Sequence, residues 1–132
     1  MKILVVDDEV VSRKKMEKIM VEFGECHTAE TGSEAVTAFN EAWSIGIPYD
    51  LVSLDISMPD ITGIEVLTKI RNIEKEKALD KSHRVKVMMV TTHSDKEIVV
   101  DSMKAGCNNY IVKPFDRERV VSKLSTLGYS FE

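Results

Sequence analysis

The alternation of short β-forming runs with longer helix-patterned stretches is the feature that most constrains the fold of this chain. Residues 3–6 are continuously apolar, which is typical of a central parallel strand covered on both faces. Residues 10–23 follow with apolar side chains at helical spacing. Four more strand-and-helix pairs succeed each other, and such strict alternation predicts an α/β fold with helices on both faces of a five-stranded parallel sheet.

Capping residues mark where the later helices begin. Thr31, Thr62 and Ser94 each begin a capping box of the form Thr/Ser-x-x-Glu, and Asp116 caps the last helix. The strands that precede these caps are predicted at residues 25–29, 50–54, 86–90 and 110–112.

Two glycines and two less regular segments complete the outline. Gly24 and Gly106 are predicted to end the first and fourth helices. Residues 43–49 are predicted to form a loop before the third strand. Residues 73–84 are highly charged and predict a helix extension that runs into a solvated loop.

Composition is that of one ordinary globular domain. Of 132 residues, 43% are hydrophobic and 30% charged, so residues 1–132 are expected to form a single domain. The net charge of −4 argues against direct binding to nucleic acid, and no apolar run approaches the roughly 20 residues of a membrane span. Asp7 directly after the first apolar run excludes a secretory signal, so we expect a cytoplasmic protein. Cys26 and Cys107 lack metal or redox spacing and are expected to be buried, inert thiols.

Polar side chains follow the predicted strands at the edge where an open parallel sheet binds its ligands, outside the carboxyl ends of the strands. Three carboxylates, two hydroxyls and one ammonium are therefore predicted to converge there. These residues are Asp7, Asp8, Asp55, Thr91, Thr92 and Lys113.

The three carboxylates would repel one another without a cation, and the pKa of at least one of them would rise. Mg²⁺ suits a site of few carboxylates because water completes its octahedron, whereas Ca²⁺ prefers more protein oxygens. No histidine or cysteine accompanies the group, as zinc would require. We therefore predict a Mg²⁺ site. The alternative is that Asp7 and Asp8 cap the first helix, which would explain only one of them.

Magnesium beside carboxylates and an ammonium favours phosphate chemistry, which needs positioning and charge neutralisation. One of the carboxylates would be the nucleophile, as in enzymes that form an aspartyl phosphate. Lys113 would neutralise phosphoryl oxygens opposite the metal, and the Thr91 hydroxyl would hydrogen-bond to another. The sequence has no Gly-rich phosphate loop, so the phosphoryl donor is expected to be another protein or a small phosphodonor.

Four short motifs occur in order, each at a predicted strand end. They are Val-Val-Asp-Asp at 5–8, Leu-Asp-Ile-Ser-Met-Pro at 54–59, Val-Thr-Thr at 90–92 and Tyr-Ile-Val-Lys-Pro-Phe at 110–115. With these motifs, almost the whole chain resembles the receiver domains of two-component response regulators, the chemotaxis receivers among them. The resemblance implies a flavodoxin-like doubly wound sheet with the strand order 2-1-3-4-5.

The resemblance also implies which residues hold the metal and the phosphoryl group. Asp55 would be the phosphoacceptor. Asp8 and Asp55 would ligate Mg²⁺ together with the backbone carbonyl of Ser57. Asp7 would act mainly through a bound water.

A switch is implied as well. Thr91 and Lys113 would contact the phosphoryl group, and Tyr110 would change its rotamer as Thr91 moves. The peptide bond between Lys113 and Pro114 would be cis. The protein-binding surface would be formed by the fourth helix, the last strand and the last helix.

A receiver would take its phosphoryl group from a histidine kinase or phosphotransfer protein and would signal to an effector protein, without contacting membrane or nucleic acid. It would be no enzyme beyond self-phosphotransfer and slow autodephosphorylation.

Ser57 and His93 occupy positions that influence phosphoryl lifetime in the family, and Thr62 replaces a common acidic residue while keeping a cap. The sequence leaves open the kinase, the target, the lifetime, the oligomeric state and whether the domain belongs to a longer chain.

Two alternatives share parts of this chemistry. A Mg²⁺-dependent aspartyl-phosphate phosphohydrolase of the haloacid-dehalogenase type carries its nucleophile after the first strand, with a second aspartate two residues on. Here Asp7 and Asp8 are adjacent and Glu9 follows, so the match fails. A degenerate receiver that switches without phosphate would not need the intact acidic group or Lys113.

Overall fold

The computed structural model describes residues 1–92 and 96–129, in which five strands alternate with five α-helices and one short 3₁₀ turn. The strands are β1 (Lys2–Val6), β2 (Glu25–Ala29), β3 (Leu51–Asp55), β4 (Lys86–Thr91) and β5 (Asn109–Val112). The helices are α1 (Val10–Met20), α2 (Gly32–Ser44), α3 (Gly63–Glu76), α4 (Lys96–Ala105) and α5 (Arg117–Thr126).

The sheet is parallel throughout, and its strand order is β2-β1-β3-β4-β5. This order confirms the predicted flavodoxin-like, doubly wound topology. The chain runs from β1 outward to the edge strand β2 and then crosses back to β3. The strand order therefore reverses between β1 and β3, which opens a crevice at their carboxyl ends.

Two apolar clusters cover the two faces of the sheet. β1 and β3 lie in the middle of the sheet and are buried along their whole length. Leu4 and Val6 pack with residues of α2 and α3 on one face, whereas Ile3 and Val5 pack with residues of α1 and α5 on the other. Because alternate residues of a strand face opposite sides, a strand buried on both sides is apolar at most positions, and the exceptions in β1 and β3 are Lys2, Ser53 and Asp55.

Several predicted local features are confirmed. The side chains of Thr31, Thr62 and Asp116 each accept a hydrogen bond from the backbone N–H three residues on, at 3.1, 3.2 and 2.8 Å. The remaining predicted cap, Ser94, lies outside the described residues. Gly106 follows α4 with a φ of +103°, a left-handed conformation that favours glycine.

Two predicted boundaries are wrong. α1 ends at Met20 because the backbone turns over residues 21–23, so Gly24 does not end the helix. Gly24 instead permits a close approach, since a Cβ at this position would overlap the carbonyl oxygen of Met1. α2 continues through the start of the predicted loop to Ser44, because Trp43 packs against the apolar cluster on that face.

The charged segment at residues 73–84 begins as helix and leads through the 3₁₀ turn Lys81–His83, as predicted, but its start is anchored. Glu74 is only 1% exposed, and its carboxylate accepts hydrogen bonds from the Arg71 guanidinium and from the N–H of Val85, both at 2.7 Å. Arg71 also donates to the carbonyls of Val85 and Gly106. These bonds fasten α3 to the start of β4 and to the loop after α4.

The two cysteines differ in burial. Cys107 is buried as expected, whereas Cys26 is half-buried because β2 is an edge strand. Burial raises the pKa of both thiols, that of Cys26 to about 11, so both are thiols at neutral pH. Among the described residues, no helix has the length and apolar character needed to cross a membrane.

Candidate functional site

The register of the sheet aligns the strand ends that carry the predicted site residues. Asp7 and Asp55 each come directly after a register pair of β1 and β3. Asp55 pairs with Val90 on β4, and Thr91 is the next residue of that strand. Thr91 in turn pairs with Val112 on β5, and Lys113 comes directly after it. Four neighbouring strands therefore present these side chains in one row at the carboxyl edge.

The three carboxylates meet in a single group. One oxygen from each of Asp7, Asp8 and Asp55 lies within 4.8 Å of the other two. Asp7 and Asp55 are each 4% exposed, whereas Asp8 is exposed. The group is therefore buried on one side and open to solvent on the Asp8 side.

Lys113 is the cation of this group. Its Nζ lies 3.0 Å from an oxygen of Asp7 and 3.8 Å from an oxygen of Asp55. Its backbone N–H donates to the carbonyl of Thr91 at 2.7 Å, and the peptide bond that follows it, to Pro114, is cis as the resemblance implied. Among the described residues, one positive charge thus faces three carboxylates, so the negative charge of the group is only partly compensated.

Asp55 is the carboxylate most affected by this imbalance. The pKa of Asp55 is raised to about 7, first by burial and then by the negative charge of Asp7, while the positive charge of Lys113 opposes both effects. The backbone N–H of Ser57 points at an Asp55 oxygen from 3.4 Å, which is a long hydrogen bond. Binding of a cation beside a carboxylate in these surroundings would stabilise its ionised form.

Asp7 is held in place by groups that the sequence did not single out. The N–H of Glu9 donates to its carboxylate at 2.9 Å. The Arg13 guanidinium donates to its backbone carbonyl at 3.1 Å and pairs with Glu30 at the same distance. Arg13 is 9% exposed and lies on the core side of α1. A cation on that side of the helix is its only distinguishing feature in the sequence. We interpret it as a residue that positions the start of the β1–α1 loop.

The loop after β3 is also fixed. A Cβ at Gly63 would overlap the carbonyl of Asp55, so this position requires glycine for the close approach of α3. The Asp60 carboxylate accepts hydrogen bonds from the N–H groups of Gly32 and Ser33 and from the Ser33 hydroxyl. These bonds hold the pKa of Asp60 well below its usual range. Asp60 therefore ties this loop to the N-terminus of α2, a role that no local pattern in the sequence indicated.

The donor set fits a hard divalent cation. Three carboxylate oxygens lie close together, and the exposed side at Asp8 gives access to water that would complete an octahedron. In the parts of the chain that the structure describes, no histidine or cysteine joins the group. The individual ligand roles of Asp7, Asp8, Asp55 and Ser57 stay predictions.

The predicted switch residues lie on the neighbouring strands. Thr91 is 4% exposed, and Thr92 beside it is exposed. Tyr110 is half-buried: it packs against the apolar cluster of α2 and α3, and the Lys123 ammonium lies 5.2 Å from its ring centroid. His93 lies outside the described residues. The structure thus places Thr91 at the row of site residues and Tyr110 on the adjacent strand.

Comparisons with known proteins agree with this architecture. The family model for the response regulator receiver domain matches residues 3–125. The chemotaxis protein CheY of Listeria monocytogenes is 34% identical over 126 residues, which cover 94% of this chain and 95% of that protein. The CheY of Bacillus subtilis is 31% identical over 126 residues and covers 94% of both chains.

A solved structure extends the likeness to three dimensions. The CheX-CheY-BeF3-Mg²⁺ complex from Borrelia burgdorferi matches with a TM-score of 0.82 and 28% identity, over 98% of this chain and 90% of that one. The family match therefore spans nearly the whole chain, and the fold and the four strand-end motifs agree with it. This chain belongs to the response regulator receiver domain family, and its relatives are CheY-like response regulators.

Proposed function

We propose that the chain is a phosphorylation-activated signalling switch in which Asp55 accepts the phosphoryl group. One observation carries the proposal: Asp55 is 4% exposed, lies beside two further carboxylates and has the Lys113 ammonium 3.8 Å away. Burial and like charge both oppose ionisation, so such a carboxylate is suited to take up a cation and a phosphoryl group rather than to stabilise the fold. Membership of the receiver family supports the same function.

Magnesium would be held by Asp8, Asp55 and the backbone carbonyl of Ser57, with Asp7 acting through a bound water. When bound, Mg²⁺ supplies neutralisation of the charge on the phosphoryl oxygens. Support comes from the tight group of three carboxylate oxygens and from the Mg²⁺ in the similar Borrelia complex.

The chain's own residues would act as follows. An oxygen of Asp55 attacks the phosphorus of the donor, and the bond from phosphorus to the leaving atom breaks with its electron pair going to the leaving group. The Lys113 ammonium neutralises one phosphoryl oxygen, and the Thr91 hydroxyl donates to another. Attack of water on the phosphorus of the acyl phosphate later breaks the bond from phosphorus to the Asp55 oxygen, which releases inorganic phosphate and returns the carboxylate. Self-phosphotransfer and this slow autodephosphorylation would be the only chemistry, so the domain acts as a switch and not as an enzyme.

The signal would be a shift between two conformations. A phosphoryl group adds nearly two negative charges beside Lys113 and draws Thr91 toward the site, and Tyr110 turns into the space that Thr91 leaves. Moving such an equilibrium from mostly off to mostly on takes about 5.5 kcal/mol. Two or three charge-assisted hydrogen bonds, at roughly 1.5–3 kcal/mol each, supply that amount.

The partners would be proteins on both sides of the switch. A histidine kinase or a phosphotransfer protein would donate the phosphoryl group, and an effector would bind the surface formed by α4, β5 and α5. On α4, Val100 is 40% exposed and Met103 52% exposed, which gives that surface apolar contacts. The presence of CheX in the similar Borrelia complex supports an output through protein binding. Residues 1–132 would work as one receiver domain.

Incubation with acetyl phosphate and Mg²⁺, read by intact mass spectrometry, tests the proposal. We expect one added phosphoryl group, which is lost with a chelator and in Asp55→Asn. Asp101→Asn is the matched control, because Asp101 is an exposed aspartate on α4 that lies outside the acidic group, and this variant should be phosphorylated normally. Absence of the adduct in wild type, or multiple turnovers of p-nitrophenyl phosphate, would refute the switch, and the second result would favour a phosphohydrolase.

Beryllofluoride tests the conformational part separately. Saturation with it should shift the amide signals of Thr91 and Tyr110 in NMR spectra. Unchanged signals at saturation would contradict the shift while leaving the phosphorylation intact.

A further inference from the structure

A cavity with a volume of about 510 Å³ lies at the opposite edge of the sheet, at the amino end of β4 and away from the acidic group. Its walls come from the C-terminal half of α3, the segment that leads to β4, the start of β4 and the end of α4. We call this cavity the basic pocket. Its charged lining residues are Arg71, Lys75, Lys81, Arg84, Lys86 and Lys104.

Charge sets the basic pocket apart from the rest of the molecule. Every charged residue that lines it is a cation, although the chain carries a net charge of −4. Six of the 18 lysine and arginine residues therefore line one cavity. Such crowding is unfavourable unless counter-charges are present.

In the part of the chain that the structure describes, a carboxylate pairs with only one of these cations. Arg71 is paired with the buried Glu74 at 2.7 Å. Arg84 donates through Nε to the carbonyl of Leu79, and within residues 1–92 and 96–129 its two terminal nitrogens form no hydrogen bond. The four lysines of the basic pocket form no ion pair in these same ranges. Five positive side chains thus face the cavity without a fixed counter-charge.

Hydrogen bonds fix one wall of the basic pocket. The Asn108 side-chain oxygen accepts hydrogen bonds from the N–H of Val87 at 2.7 Å and from Arg71 at 3.1 Å. Arg71 in turn donates twice to the carbonyl of Gly106, at 2.9 and 3.0 Å. The loop after α4 is therefore fixed to β4 and α3, so this wall of the cavity is preformed, which lowers the entropic cost of binding a ligand.

Helix ends explain part of this charge but not all of it. Cations near a helix C-terminus are favourable because they offset the helix dipole. This accounts for Lys75 in the last turn of α3 and Lys104 in the last turn of α4. It does not account for Lys81, Arg84 and Lys86, which come from the 3₁₀ turn, the residue after it and the start of β4.

We propose that the basic pocket binds a small polyanion that carries two or more phosphate groups. Ammonium and guanidinium groups are strong donors to phosphate oxygens, and five such groups exceed what a single phosphate or carboxylate needs. The volume lies in the range of pockets that take small ligands. The site is separate from the phosphorylation site and does not depend on the role of Asp55.

Titration of protein freed of divalent cations on a chelating resin with sodium tripolyphosphate tests this proposal, followed by calorimetry and by amide NMR spectra. Without a divalent cation the acidic group repels the probe, so binding there is suppressed. The pocket variant is Lys81→Ala/Lys104→Ala, which removes two exposed cations. The matched control is Lys14→Ala/Lys18→Ala on α1, where both residues are exposed and the change in net charge is the same.

We expect saturable binding of one tripolyphosphate to the wild-type protein, with amide shifts at Lys86, Cys107 and Asn108. The pocket variant should bind about tenfold more weakly, and the control should change less than about twofold. Equal weakening in both double variants, binding that does not saturate, or shifts centred on Asp8 would overturn the proposal. Binding of a Glu-rich peptide at these amides without binding of tripolyphosphate would also overturn it, in favour of an acidic protein partner.

Discussion

Two buried carboxylates at opposite ends of the sheet have very different surroundings. Glu74, at the amino end of β4, is 1% exposed, and Asp55, at the carboxyl end of β3, is 4% exposed. Glu74 receives the Arg71 guanidinium and a backbone N–H, each at 2.7 Å. Within the described residues, Asp55 has a long contact of 3.4 Å to the N–H of Ser57, the Lys113 ammonium at 3.8 Å and two neighbouring carboxylates.

The difference separates a structural carboxylate from a functional one. The charge of Glu74 is matched where it lies, so removing its partner would leave an uncompensated charge in the core. The charge of Asp55 is not matched in this way. Asp55 is therefore stabilised by binding a cation or by losing its negative charge. Burial alone therefore does not identify a site residue, whereas burial without short compensating contacts does.

The largest expected difference is in phosphorylation. Asp55→Asn should abolish phosphoryl uptake from acetyl phosphate, because no other described carboxylate is buried and under-compensated in the same way.

The Asp55→Asn variant should also be at least as stable as metal-free wild type. Since the folded pKa of Asp55 is raised to about 7, wild type loses stability as pH rises from about 4 toward 7, and the amide removes that loss. Denaturant unfolding at pH 8 without metal checks this, and a less stable variant would contradict it.

Glu74→Gln should instead lower the stability of the fold and leave phosphorylation unchanged. It leaves Arg71 without its carboxylate partner in a mostly buried position, which we expect to cost about 3 kcal/mol in the free energy of unfolding. Phosphorylation of the folded fraction should be unchanged, because Glu74 lies at the other end of the sheet. Urea unfolding measures the first effect and intact mass the second. A cost below about 0.5 kcal/mol would show that the pair is not structural.

Magnesium should stabilise only the form with an intact acidic group. At a concentration one hundred times the dissociation constant, a ligand that binds only the folded state adds about 2.7 kcal/mol. We expect this increase for wild type and for Glu74→Gln, and a much smaller one for Asp55→Asn. Thermal unfolding with and without MgCl₂ measures it, and equal stabilisation of all three proteins would place the ion elsewhere.

Acid should weaken the binding of magnesium. Protons compete with the metal for Asp55, whose pKa is about 7 in the metal-free protein, so affinity is full above that pH and is lost as pH falls through it. Between pH 8 and pH 6 the ionised fraction falls about tenfold, which is about 1.4 kcal/mol in binding free energy. Calorimetry at the two pH values checks the change. Asp60 is a useful contrast, because its lowered pKa predicts no titration in this range.

Much of the fold was predictable because it rests on patterns that repeat along the chain. Alternating strand and helix patterns predicted the parallel sheet, and the position of each polar residue after a strand predicted the acidic edge. Thr31, Thr62 and Asp116 act as caps because capping is a local interaction between residues three apart. Local chemistry of this kind can be read directly from sequence.

The features that sequence did not predict depend on distant parts of the chain. Arg71 and Glu74 look like a solvated pair in a charged segment, but their partners Val85 and Gly106 lie 11 to 35 residues away. Asp60 acts across a separation of 27 or 28 residues on the start of α2. Gly24 is required by the close approach of Met1, which precedes β1 in the chain. Local sequence patterns do not reveal such contacts. The sequence therefore does not show whether the charge of a side chain is compensated by a partner.

Mapping the modified residue tests the central claim most directly. Protein treated with acetyl phosphate and Mg²⁺ is reduced with borohydride, which converts an aspartyl phosphate to homoserine, and its peptides are then sequenced by mass spectrometry. We predict homoserine at position 55 alone. Homoserine at position 7 or 8, or none at any position despite saturating Mg²⁺, would contradict the assignment of Asp55 as the carboxylate primed by its surroundings.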